Sequence, residues 1–462
     1  MAIAVAFPLS LPMMGAATIV INNINGAGVG FNDATSVAAV GGNAGTTLGQ
    51  QRLNAFQHAA SIWGATLSSS VTIVVNAQFS ALTCTATSAV LGSAGAVTVH
   101  GNFLGAPISG TWYSQALANK LFGSDLDGTN ADISANFNVN LGNAGCLTGT
   151  PFYLGLDNNH GASIDLVAVL LHEFGHGLGF QTFTSGTTGA YFSSFPSAWD
   201  HFLMDNILGL TWVNMSASQR VTSAVGINRL VWSGSNVTSA VPSLLTAAPA
   251  VIVTAPASVA ASFAPVGTAA FGPAVTLTGV TGEVMPVVDQ TNGTGLACTA
   301  LSSLNAAAVS GKIALIDRGT CGFAVKVKNA QNAGATGVIM ANNAAGVIPM
   351  GGTDATITIP SLMISQTQGN TLKTALRNRS RTRSGMFARL GLDSSLGYAG
   401  ADSSSRPLMY TPSPFQSGSS VSHFDSTASP NLLMEPAING DLTHSVNVPQ
   451  DLTFKLLKDL GW

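Results

Sequence analysis

The sequence predicts an α+β fold built from two modules, and three observations carry that prediction. The chain has 462 residues, more than a single hydrophobic core usually organises, so two domains are the starting expectation. Its first half alternates helical apolar spacing with short β-branched runs. From about Val251 the pattern changes to short strands and turns.

The elements follow in order. Residues 1–17 open an uncharged apolar run that ends in small residues, like the hydrophobic core and cleavage zone of a secretory signal, although the basic leading segment is missing. They are read as a signal peptide-like segment, which places the protein in a secreted or extracytoplasmic location. Asn22 to Gly49 is a glycine- and asparagine-rich lead-in. Between Leu48 and Leu67, the residues Leu53, Phe56, Ala60, Trp63 and Leu67 recur at helical spacing, and Val71 to Val75 reads as a strand. Asp132 to Asn138 alternates like an exposed strand. A helix is expected from about Ile164 to Leu178, stopped by Gly179 in a left-handed cap. The loop Gly123 to Asp132 clusters oxygen-bearing side chains and is a candidate Ca2+ site, but it lacks a closing bidentate glutamate, so a polar turn competes with that reading.

Composition excludes several functions. Apolar residues make up 46% of the chain, charged ones 8%, and the net charge is -3. Such a surface offers no field for nucleic acid or an anionic membrane. Leu230 to Gly282 carries no charge, yet Pro242, Pro249, Pro256, Pro265 and Pro273 interrupt it, which argues against a membrane span. The four cysteines suit an oxidising compartment; none sits in a CxxC pair, and domain-local bridges Cys84 to Cys146 and Cys298 to Cys321 are the simplest pairing.

The chemistry concentrates in LLHEFGHGLGFQT, Leu170 to Thr182. His172 and His176 share one helix face with Glu173 beside them, the HExxH signature of zinc hydrolases. Zinc on the imidazoles would activate water, and Glu173 would take its proton as general base. Catalytic zinc normally has three protein ligands, and here the third is missing locally. In the metzincin pattern HExxHxxGxxH the third histidine falls where this chain has Thr182. A glutamate on the next helix is also absent, since the chain has only Glu173, Glu283 and Glu435. Asp200, His201, His423 and His444 remain as candidates. A helix, strands and then a metal-binding helix ended by glycine form the layout of a zincin catalytic domain, a mixed sheet plus the active-site helix.

Two resemblances extend this reading. GKIALIDRGTC, KVKNAQNAGATGVIMANN and IPSLMIS resemble the protease-associated (PA) domain, over roughly 130 residues. The segment GSSVSHFDSTASPNLLMEP resembles leishmanolysin-like metzincins, whose third histidine follows an inserted segment and precedes a methionine turn. That resemblance implies His423 as third ligand and Met434 as the floor of the site. The expected organisation is a signal-like segment over 1–17, a zincin domain over 18–245, an inserted β-rich PA domain over 246–388, and a returning catalytic part over 389–462. The basic run RNRSRTR, Arg377 to Arg383, is expected to mark the exit from the insert as a solvated linker. The implied function is a secreted zinc metalloendopeptidase acting on protein or peptide, with the PA domain as a substrate or partner contact. A non-catalytic zincin and PA binding protein, and a zinc hydrolase of a non-protein extracellular polymer, are the alternatives.

Overall fold

The computed structural model describes residues 15–128, 130–344 and 346–462. Residues 1–14 of the signal-like segment lie outside them. The chain forms two compact units, one comprising the residues up to Leu245 together with Gly400–Trp462, the other Thr246–Ala399. Mixed sheets and helices in both make the fold α+β.

The first unit is built on a four-stranded sheet. Strand β1 (Ile19–Asn23) is followed by helix α1 (Leu48–Thr66), β2 (Ile73–Ser80), β3 (Gly92–Ala96), α2 (Gln115–Phe122), β4 (Ile133–Asn138) and α3 (Leu166–Gly177). The strand order is β1-β2-β4-β3, parallel except for β3, which runs antiparallel to β4 at the edge. Alternation in β2 buries Ile73, Val75, Ala77 and Phe79. The helical stripe of α1 buries Phe56, Ala60 and Trp63, and Phe56 joins helix and sheet through edge-on ring contacts to Phe137 and Phe174 and a tilted one to Phe79. Strand β4 corrects the sequence reading. It is central, with Ile133, Ala135 and Phe137 buried, because β3 covers its second edge. No strand was expected at β3, whose sequence GSAGA has little β propensity. The disulfide Cys84–Cys146 ties the connection before β3 to the loop after β4.

The second unit is an eight-stranded sheet made of β5 (Ala247–Ala255), β6 (Ala261–Phe263), β7 (Gly267–Thr268), β8 (Val280–Pro286), β9 (Ile313–Asp317), α4 (Phe323–Asn332), β10 (Gly337–Ala341), β11 (Ser361–Ile364), α5 (Gln366–Ala375) and β12 (Phe387–Tyr398). The central strands β8 to β11 are parallel, and β10 is buried along its whole length because both faces are covered. Ala314, Ile316, Val338 and Met340 face α4, while Ile313, Leu315, Ile339 and Ala341 face α5. Its disulfide is Cys298–Cys321. The unit's first and last strands pair antiparallel, with Ala247 opposite Tyr398. That pairing moves the insert's end from residue 388, which lies inside β12, to Ala399. Arg377 to Arg383 accordingly precede the last strand and do not mark the exit.

After Gly400 the chain runs through turns to α6 (Thr453–Leu460), and Trp462 donates its indole N–H to Leu178 O at the end of α3. Among the described residues no helix is long and apolar enough to cross a membrane.

Candidate metal centre

Helix α3 starts where a capping side chain allows it to start. Asp165 accepts the N–H groups of Val167 and Ala168 through one carboxylate oxygen, satisfying two donors that the first turn leaves unpaired. The helix ends at Gly177, with Leu178 as its cap and Gly179 at φ 122°. Two glycines inside it are required by packing. A Cβ on Gly175 would lie 2.8 Å from Met434 Sδ, and one on Gly177 would lie 2.5 Å from Ile133 Cγ2. The helix therefore rests directly on β4 on one side and on Met434 on the other.

His172, His176 and His423 converge at this point. Their Nε2 atoms are 3.2 Å apart in all three pairs, although His423 is 247 residues beyond His176. Each Nδ1–H donates to a backbone carbonyl: His172 to Leu433 O at 2.7 Å, His176 to Phe180 O at 2.8 Å, and His423 to Ser419 O at 2.7 Å. A carbonyl only accepts, so each ring carries its proton on Nδ1 and presents an Nε2 lone pair to the other two. Burial pushes the His172 and His176 pKa values down to about 3 and about 4, and holds His423 well below the usual range, so all three are neutral.

Three buried lone pairs facing one another repel unless a cation sits between them. The spacing suits zinc, because nitrogens at about 2.0–2.1 Å from a tetrahedral ion stand about 3.3–3.4 Å apart. Among the described residues this is the one group of His, Cys, Asp or Glu side chains that converges closely enough to hold a metal. Glu173 lies beside it, packed against β3, and burial pushes its carboxyl up to about 8. The small residues of β3 explain that proximity, since a Cβ on Gly92 would lie 3.3 Å from Glu173 Cγ.

The other candidates are engaged elsewhere. Asp200, fully buried, accepts the hydroxyls of Thr182 and Thr184 at 2.7 and 2.6 Å and the N–H of Ser197 at 2.7 Å. His201 Nε2 meets the hydroxyl of Thr111. Thr182, at the metzincin ligand position, donates its N–H to Ser422 Oγ and so tethers the loop that carries His423. His444 Nε2 lies 3.0 Å from Asp165 Oδ2, the Asp165 oxygen not spent on the helix cap. In the candidate calcium loop, Asp125 and Asp132 are occupied by the Asn119 amide and by the N–H groups of Asp127 and Val74, which makes it a hydrogen-bonded turn.

Comparison with known proteins concerns the second unit first. The PA domain family model matches residues 280–372, a span that runs from β8 into α5. This part of the chain is a PA domain. Signal peptide peptidase-like 2 of Arabidopsis thaliana is 32% identical over 84 residues, which are 17% of this chain and 16% of that protein. An aminopeptidase from Aneurinibacillus sp. strain AM-1 is 26% identical with a TM-score of 0.24, covering 32% of this chain and 31% of the other. A zinc aminopeptidase from Bacillus subtilis is 21% identical with a TM-score of 0.23, covering 34% and 36%. This chain thus spans about a third of those enzymes and about a sixth of the Arabidopsis protein. Within the PA domain, Lys326 is fully buried and donates to Leu296 O and Asp317 O. It anchors the loop of the Cys298–Cys321 bridge from inside.

Proposed function

We propose that this protein is a secreted zinc metalloendopeptidase in which His172, His176 and His423 hold the ion and Glu173 is the general base. The observation that carries the reading is the meeting of three neutral imidazoles, each oriented by a carbonyl, with a buried carboxyl beside them. Zinc, when bound, supplies Lewis-acid activation of water and of the scissile carbonyl. Glu173 takes the proton of the attacking water and passes it to the leaving amine, the role its place beside the histidines gives a buried carboxyl. Met434 fills the space under the helix at Gly175 and excludes water there.

Peptide as substrate follows from β3. It is the edge of its sheet and packs against Glu173. An extended peptide added along that edge would bring a backbone carbonyl toward the centre. The PA domain is assigned a substrate or partner contact. Two disulfides and the signal-like start support export.

The test is the zinc content of the purified protein together with casein hydrolysis with and without a chelator. Glu173→Gln should keep zinc and lose about 10²-fold or more in turnover. Hydrolysis that survives both the chelator and this substitution would overturn the assignment.

A further inference from the structure

The three histidines differ in what orients them. His176 and His423 each donate to a carbonyl only four residues away, so their rings are set by local chain geometry. His172 donates to Leu433 O, 261 residues away. Its orientation depends on how a remote peptide is placed.

That peptide lies in no helix or strand, so no regular ladder holds it. Side chains do so instead. Asp451, 2% exposed, accepts the N–H of Leu433 at 2.7 Å through Oδ2. Its other oxygen accepts the N–H of Thr453 at 2.6 Å, at the start of α6. On either side of Leu433, Glu435 accepts the N–H of Leu432 and Phe424 donates to Met434 O.

We propose that Asp451 is a positioning residue of the metal centre: its Oδ2 arm fixes the Leu433 segment, and through the Leu433 carbonyl it sets the aim of His172. The inference rests on the zinc reading of the three histidines. Accepting the Thr453 N–H does not by itself call for a buried carboxylate, since Ser, Thr or Asn would accept it as well and avoid the cost of burying charge. What a carboxylate adds is a second acceptor, and here that acceptor faces the segment that orients the ligand. Partners one step removed from a metal typically tune its affinity by about 10–100-fold.

Asp451→Asn separates the two arms. Asparagine keeps one oxygen for the Thr453 cap and turns its NH2 group toward the Leu433 N–H, donor against donor. Zinc affinity of the full chain, measured by competition with a chromophoric chelator, should fall about 10–100-fold. The absorption spectrum of the cobalt(II)-substituted protein should change with it, while the far-UV circular dichroism is retained. Lys455→Gly weakens α6 by helix propensity without touching Leu433, and should lower the melting temperature with affinity and spectrum unchanged. Asp451→Ser keeps a capping hydroxyl and reads the same two quantities should the amide variant not fold.

Wild-type affinity and an unaltered cobalt spectrum in the Asp451 variants would overturn the proposal. So would an equal loss of affinity in Lys455→Gly, which would make Asp451 a matter of stability alone. Absence of zinc binding in the wild type would instead overturn the metal reading itself.

Discussion

At the scale of the residue, the histidines of the centre are neutral because burial makes the charged form costly, and this ties stability to pH in the metal-free protein. In the unfolded chain a histidine takes up its proton near its ordinary value of 6.5, whereas in the folded chain His172 and His176 resist until about 3 and about 4. A depressed folded value means stability that is fully present above pH 6.5 and lost as pH falls toward 4. Each histidine contributes a slope of up to about 1.4 kcal/mol per pH unit in that window. Metal-free wild type should therefore lose melting temperature on acidification more steeply than a metal-free His172→Asn/His176→Asn double variant. Parallel profiles for the two proteins would show that these rings are not buried neutral.

At the scale of the element, α3 keeps glycines where helix propensity favours alanine by about 0.5–1 kcal/mol. The reason is contact, since Gly177 leaves room for Ile133 of β4 and Gly175 for Met434. Gly177→Ala should destabilise the first unit by about 1–3 kcal/mol, because the branched Ile133 side chain has little freedom to give way. Combining it with Ile133→Ala should cost less than the sum of the two single changes, as chemical denaturation would record. Additive costs would place the clash elsewhere. The edge strand β3 follows the same logic, for only small residues allow it to lie against Glu173.

At the scale of the whole molecule, β5 and β12 bring the two ends of the insert together, so the first unit needs only a short closure at that point. Loop closure costs only about 0.6 kcal/mol per doubling of length, so a domain between neighbouring ends adds little. A chain in which Thr246–Ala399 is replaced by a short Gly-Ser linker should fold and bind one zinc per molecule, measured by metal analysis after gel filtration. An insoluble or zinc-free product would show that the insert is part of the catalytic fold. Each unit also carries its own bridge. Cys84→Ser with Cys146→Ser should lower the stability of the first unit by about 2–5 kcal/mol and leave the melting transition of the second in place.

Spacing and residue type mark the helix of His172, Glu173 and His176, the α1 stripe and the change to short strands after Val251. These features are local, since helical and strand periods follow from backbone geometry. The Asp165 cap is also written in the sequence, as an aspartate directly before an apolar helix. Strand β3 was not legible: GSAGA is strand because β4 supplies partners for its backbone, not because its residues prefer that state. Elimination left Asp200, His201, His423 and His444 as candidates, and a resemblance singled out His423. The tertiary structure brings His423 to the other two and commits Asp200, His201 and His444 to hydrogen bonds elsewhere. The same is true of Asp451 and Leu433, whose relation to His172 appears only once the first unit has folded. A helix motif is written in neighbouring residues, whereas a site assembled across hundreds of residues is decided by packing, which brings together groups whose spacing in sequence carries no trace of the contact.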